Sequence, residues 1–259
     1  MAEAYERILV EHADGIATLT LNRPDKRNAL DSLTVAELKR AIRECDESTA
    51  TRVIVIRGQG PDFCAGADLA ELERIARTAD PLVNVADADA LGELFTLMRR
   101  VGSPIIAAVH GNAIAGGAGL ATACDLIIAA ESAKFGYPEV HLGFVPAMVT
   151  ALLRRAIGEK RIFELITLGE RFGAQQAREW GLVARVLPDA SFDDDVRAFA
   201  ANLASRSASA LRLCKRLLYG LDGMSFDDAI ARGAEINTIA RATADCQDGV
   251  RTFLDRSKR

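Results

Sequence analysis

Apolar and polar positions near the N-terminus follow a strand pattern. Ile8–Val10 and Ile16–Leu21 flank Asp14-Gly15, a dipeptide suited to a tight hairpin turn. Asn22-Arg23-Pro24 ends the second strand. A helix is predicted next, capped by Asp31 or Ser32, because Val35, Leu38, Ile42 and Cys45 recur at helical spacing on one face. Val53–Ile56 is a continuous apolar run, as in a strand buried on both faces, and Gly58-Gln59-Gly60-Pro61 closes it with a turn. The pattern then repeats. Leu69–Arg77 reads as a helix, residues 78–90 as a mobile loop or irregular helix, and Leu91–Val101 as a helix. Pro104–Val109 and Asp125–Ala130 read as buried strands, with a helix starting near Gly116 between them. Strands alternating with helices predict an α/β core.

After Phe192 the strand signal stops. Leu211, Cys214, Leu218 and Leu221 form one helical stripe, and Phe226, Ile230, Gly233 and Asn237 suggest another helix, with Ser225 and Asp228 at its start. The chain is therefore read as an α/β core over 1–192 and an all-helical region over 193–259, which must pack on the core or on another subunit.

Composition narrows the setting. The chain has 259 residues, 49% hydrophobic and 26% charged, with a formal charge of −4, which suits a globular protein and argues against disorder. A pI near 5.5 and no long basic run argue against a nucleic-acid partner. No apolar stretch approaches the roughly 20 residues of a membrane helix, and the first residues lack a signal-peptide pattern. The five cysteines are scattered, with no CxxC pair, as in reduced thiols. The expectation is a cytoplasmic protein without membrane association.

Several chemical signatures are missing. There is no GxGxxG, GxSxG or HExxH, and the glycines of Gly111–Gly117 lack the Lys-Ser/Thr of a phosphate loop. His12, His110 and His141 are too scattered to suggest a metal site. Three other features stand out. Phe63-Cys64-Ala65-Gly66-Ala67-Asp68-Leu69 is a turn between strand and helix, and His110–Gly119 is a second, glycine-rich one. Glycine lets backbone N–H groups approach a ligand, and a helix N-terminus adds unpaired donors. Two such turns facing each other could direct two N–H donors at one oxygen that becomes negative during reaction. The third feature, Phe135–Gly143, sets Glu139 among apolar residues, where a carboxyl's pKa rises toward neutrality. Cys64 lacks an adjacent histidine and reads as a small apolar filler.

In order along the chain, these features resemble the crotonase superfamily, the enoyl-CoA hydratase/isomerase family. The resemblance runs from Leu21–Pro24 and Asn28-Ala29-Leu30 through Phe63–Leu69, Gly111–Asp125, Pro138-Glu139 and Leu142-Gly143. It continues through Gly169, Ala177 and Trp180–Val183 to Phe253-Leu254. It implies a spiral of ββα units with a C-terminal helical region that forms trimers, often paired into hexamers. It implies an acyl-CoA thioester substrate, with CoA belonging to the substrate and no separate cofactor or metal. The backbone N–H groups of Ala67 and Gly116 would form the oxyanion hole, and Glu139 would be the acid/base. Ala65, Gly66, Asp68, Leu69 and Gly117 would line the substrate, with Asp68 structural rather than catalytic. Lys26 or Arg27 would meet a CoA phosphate, and Phe253 and Arg256 match an aromatic and a basic position that reach CoA. Met148 and Phe144 would line the acyl pocket.

One position departs from the family pattern. Family hydratases usually carry two glutamates; the second matches Glu139, and the first falls on Gly119. Two carboxylates can hold and polarise a water for addition to C=C. One is enough to move a proton between carbons, as in a 3-enoyl/2-enoyl isomerase. Enoyl-CoA hydratase is the first reading and isomerase the alternative. Hydrolase or decarboxylase activity on the same scaffold, or a non-catalytic acyl-CoA- or RNA-binding role, are further alternatives.

Overall fold

The computed structural model describes residues 5–78 and 80–256. Strands β1 (Ile8–Ala13) and β2 (Ile16–Leu21) pair antiparallel around Asp14-Gly15, the predicted hairpin. Beyond β2 the large sheet is parallel. β3 (Val53–Gly58), β4 (Ile105–Val109), β6 (Leu126–Ala130) and β9 (Arg185–Leu187) add in turn, giving the order β1-β2-β3-β4-β6-β9. The central strands β3 and β4 are almost wholly buried, which explains their unbroken apolar runs. A smaller sheet joins three-residue strands: β5 (Asn112–Ile114) parallel to β7 (Lys134–Gly136), and β7 antiparallel to β8 (Arg171–Gly173).

Helices cover the sheets. α1 (Ser32–Glu47) is capped by Asp31, whose carboxylate accepts from the Thr34 N–H, and it buries Val35, Leu38, Ile42 and Cys45 as its spacing predicts. α2 (Leu69–Arg77) is capped by Asp68. Residues 81–100 form one helix, α3 (Pro81–Arg100), capped by Asp80. Its buried residues, Leu94, Phe95 and Met98, all lie in its second half. A solvated first half explains why the sequence over 78–90 shows weak periodicity; of the two readings left open there, mobile loop or irregular helix, the structure has helix from Pro81 onward. α4 (Gly116–Ala123) starts as expected. α5 (Ala147–Ala156), α6 (Glu159–Leu168) and α7 (Ala174–Glu179) complete the spiral.

α8 (Phe192–Ala204) buries Phe192, Val196, Ala200 and Ala204 in the main core. α9 (Ala208–Gly220), α10 (Phe226–Ala242) and α11 (Ala244–Arg256) form the outer layer. α9 docks through a polar face. The Lys215 ammonium donates to the Ser103 carbonyl (3.0 Å) and to Asp125 (2.7 Å), and the Tyr219 hydroxyl donates to the same carboxylate (2.7 Å). Cys214 and Leu218, from the stripe read in the sequence, are exposed instead. Among the described residues no helix is long and apolar enough to cross a membrane.

Candidate active site

Three parallel backbone segments lie side by side. Cys64 bridges Ala113, with the Cys64 N–H donating to Asn112 O (3.0 Å) and the Ile114 N–H to Cys64 O (2.9 Å). β5 in turn pairs with β7. The two turns and the Glu139 loop follow these segments in sequence, so all three motifs leave from the same end of this small sheet. Ligands in parallel α/β structures gather at that end of the strands.

The direction of the Ala67 N–H follows from its neighbours. The Leu30 N–H donates to Gly66 O (2.8 Å), and the Asp68 N–H donates to Leu30 O (2.9 Å). Leu30 is thus clamped by the peptides on either side of Ala67, and in the planar trans peptide joining Gly66 to Ala67 the C=O and N–H point opposite ways. The Ala67 N–H therefore points away from Leu30. Gly116 is a close neighbour: a Cβ built on Gly116 would stand 3.6 Å from the Ala67 nitrogen. A Cβ on Gly66 would stand 3.2 Å from the Gly116 nitrogen and 2.9 Å from Ile114 O. Gly66 also has a φ of +97°, so glycine suits it on both counts.

The Gly116 N–H is aimed by its predecessor. Ala115 has φ 51° and ψ −124°, a strained conformation for an L-residue, and its own N–H is tied to Gly136 O (2.8 Å). Gly116 is the first residue of α4, where a helix has no internal acceptor for its N–H. A Cβ on Gly117 would collide with Cys64 O, so glycine there lets the two turns touch.

Glu139 sits in a 3-10 turn, Pro138–Leu142, three residues after β7 ends. It is 8% exposed, and its Oε2 has no hydrogen-bond partner among the described residues. Burial raises its carboxyl above the ordinary glutamate range, against a weaker opposing effect of a backbone N–H. The loop is fastened at both ends: the Phe144 N–H donates to Glu139 O (3.0 Å), and His141 Nε2 is 2.9 Å from Leu168 O.

Gly119 is not an empty space. A Cβ there would meet Val149 Cγ2 at 2.6 Å and Phe95 Cζ at 3.3 Å. Both side chains are buried, on α5 and α3. The position that the family resemblance gives to a first glutamate is hemmed in by apolar packing that sequence reading could not locate, because Phe95 and Val149 carry no motif of their own.

The other expected residues fall into two groups. Lys26 and Arg27 are exposed on a 3-10 turn beside the first motif, where the Ala65 N–H donates to Arg27 O (2.9 Å). Asp68 and Leu69 begin α2, with Leu69 exposed. Cys64 is fully buried and its thiol is pushed up to about 12, as befits a filler. Met148 lines a cavity of about 580 Å³ with Phe95 and Leu152, while Phe144 is exposed. Phe253 and Arg256 are exposed on α11, which packs on α9 and α10. No hydrogen bond or ion pair among the described residues ties them to the turns.

Fold and site together describe an α/β scaffold that brings two glycine-containing turns into close contact and buries one carboxyl, Glu139, in the loop after β7. Residues 11–259 match the family described as enoyl-CoA hydratase/isomerase, and the chain belongs to that family. A Thermus thermophilus protein that carries an enoyl-CoA hydratase name is 38% identical, covering 93% of this chain and 95% of the relative. The crotonyl-CoA hydratase of Syntrophomonas wolfei is 33% identical, covering 98% and 97%. A crystal structure of an enoyl-CoA hydratase from Mycobacterium smegmatis superposes with a TM-score of 0.91 at 29% identity, covering 97% of each chain.

Proposed function

We propose that this protein hydrates 2-enoyl-CoA thioesters, with Glu139 as the only carboxylate at the reacting carbons. The observation that carries the reading is the Leu30 clamp, which turns the Ala67 N–H away from Leu30 while Gly116 packs close to the Ala67 nitrogen. The thioester oxygen would accept from the Ala67 and Gly116 N–H groups. Glu139 takes a proton from water as the water oxygen bonds to Cβ. The C=C electrons move toward the thioester and the enolate charge rests on the oxygen between the two donors. Protonated Glu139 then returns its proton to Cα, and the carboxylate is restored.

Lys26 or Arg27, exposed beside the first turn, is suited to a CoA phosphate. Ala65, Gly66 and Gly117 form the backbone floor of the same site. CoA arrives as part of the substrate, so the chemistry needs no separate cofactor. The cysteines in the structure are unpaired, Cys45, Cys64 and Cys124 being buried, which supports a reducing cytoplasmic setting.

The reading includes a ring of copies, a homotrimer or a hexamer of two trimers. Leu142, Phe144, Val145, Phe163 and Leu168 are exposed on the Glu139 loop, the segment after it and α6, and Leu218, Phe226, Ile230, Phe253 and Leu254 are exposed on the C-terminal helices. Two different sets of exposed apolar side chains on one chain would meet head to tail, and head-to-tail contacts that close generate rings. In a ring, Phe253 and Arg256 would reach CoA bound to a neighbouring copy. A solution mass of three or six times 27.8 kDa supports this; a 27.8 kDa monomer contradicts it.

The test of function is optical. Conjugated crotonyl-CoA should lose its enone absorbance on mixing with the protein. No loss at high protein concentration would overturn the hydratase reading. The apolar filling at Gly119 favours one second reading, isomerisation of 3-enoyl-CoA by Glu139 alone. It would show as a gain of the same absorbance from a 3-enoyl-CoA.

A further inference from the structure

Arg23 stops the second predicted strand, and nothing in the reaction above uses it. Its side chain is 15% exposed, and both terminal guanidinium nitrogens are engaged. Nη2 donates to Asp68 Oδ2 (2.9 Å) and lies 3.3 Å from Asp31 Oδ2; Nη1 donates to Ala29 O (2.5 Å). Each of these partners has a second task. Asp31 caps α1 through the Thr34 N–H (2.8 Å), and Asp68 caps α2 through the Ala70 (3.1 Å) and Glu71 (3.4 Å) N–H groups. Ala29 immediately precedes Leu30, the residue that clamps the peptides around Ala67.

One guanidinium thus joins the two helix caps that flank the Leu30–Ala67 bridge. A planar fork of N–H donors can hold two carboxylates and a carbonyl at once, which an ammonium cannot do in the same geometry. The remaining charged groups here reinforce the arrangement. Arg7 Nε donates to Asp31 Oδ2 (3.0 Å), and Glu71 accepts from the Ser32 N–H (2.8 Å) across the same gap. The Asp68 carboxyl is held below its usual range, first by the Arg23 hydrogen bond, which marks it as ionised and engaged.

We propose that Arg23 is a positioning residue for the reaction: by fixing Leu30 against Gly66 and Asp68, it holds the Ala67 N–H on the thioester oxygen. The inference rests on the proposed role of the two turns. Its effect should appear in the transition state, where the oxygen carries charge, more than in substrate binding.

The test uses the full-length protein, Arg23→Lys, and the double variant Arg23→Met/Asp68→Asn. The double variant removes the tie without leaving a lone buried carboxylate, and an asparagine in place of Asp68 can still cap α2. Two readouts are taken: kcat and KM on crotonyl-CoA, and the absorption band of bound 4-dimethylaminocinnamoyl-CoA. That band moves to longer wavelength as its carbonyl is polarised by hydrogen-bond donors. A role confined to stability would lower the melting temperature and leave the band of the bound probe where the native protein puts it. Expected for both variants are a kcat lower by about tenfold or more, a KM within about threefold, and a smaller red shift. A native red shift with kcat within about twofold of native, in either variant, overturns the proposal. A native protein that leaves the band where water leaves it overturns the reading of the turns themselves.

Discussion

The spiral core and the outer helices α9–α11 are built on opposite plans. In the core, apolar side chains face inward, and the two glycine-containing turns are fastened by backbone hydrogen bonds between neighbouring parallel segments. In the outer layer, the contact that faces the core is polar, with Lys215, Tyr219 and Arg212 meeting Asp125, Ser103 and Asp46. The apolar side chains of that layer, such as Phe226 and Phe253, face outward. A core closed on itself can hold two N–H groups in fixed positions. A layer anchored by a few charged bonds keeps its apolar face for another surface. The contrast sets the closed core, where the reaction is proposed to take place, apart from a layer whose apolar side chains face solvent.

The largest expected effect falls on the core side. Glu139→Gln should lower hydration of crotonyl-CoA by about 100-fold or more. The same change should raise the melting temperature at neutral pH. The sign follows from burial, which lifts the folded carboxyl above its unfolded value. At neutral pH the native site carries the cost of any ionised fraction. Below the unfolded value both states are protonated and the cost is absent. The stability gain of Gln should therefore shrink as pH falls through the glutamate range. A variant as active as native, or less stable at neutral pH, would break the picture of a desolvated acid/base.

The outer layer gives the next effect. Lys215→Met leaves Asp125 without its buried partner and should cost about 3 kcal/mol in urea unfolding. Hydrogen exchange should quicken in α9–α11 and much less in β3 and β4. Equal quickening in both regions would erase the distinction between them. The smallest effect returns to the core. Ala115→Gly relaxes a positive φ and should stabilise the folded protein by at most about 1 kcal/mol. It should also lower kcat, because the peptide that aims the Gly116 N–H becomes less constrained.

Much of the core was legible in the sequence. Buried parallel strands such as Val53–Ile56 need apolar side chains on both faces, and that is a strong local signal. The two turns and Glu139 stood out because glycines and a proline have few other reasons to occur there together. What was hidden lies in long-range packing. Three-residue strands such as Arg171–Gly173 are too short for any periodicity. Val149 and Phe95, which fill the Gly119 position, look like ordinary core residues. The stripe through Cys214 and Leu218 was visible, but not that α9 would turn Lys215 inward instead. A buried lysine is legible only once Asp125 is seen beside it.

The central claim is that Glu139 and the paired N–H groups of Ala67 and Gly116 add water to a conjugated thioester. Its most direct test is crotonyl-CoA in ¹⁸O-labelled water, with the product analysed by mass spectrometry. The native protein should yield 3-hydroxybutyryl-CoA with one labelled oxygen on C3, and Glu139→Gln should yield almost none. Unlabelled, unchanged crotonyl-CoA from the native protein, or native-rate labelling by Glu139→Gln, would contradict the account.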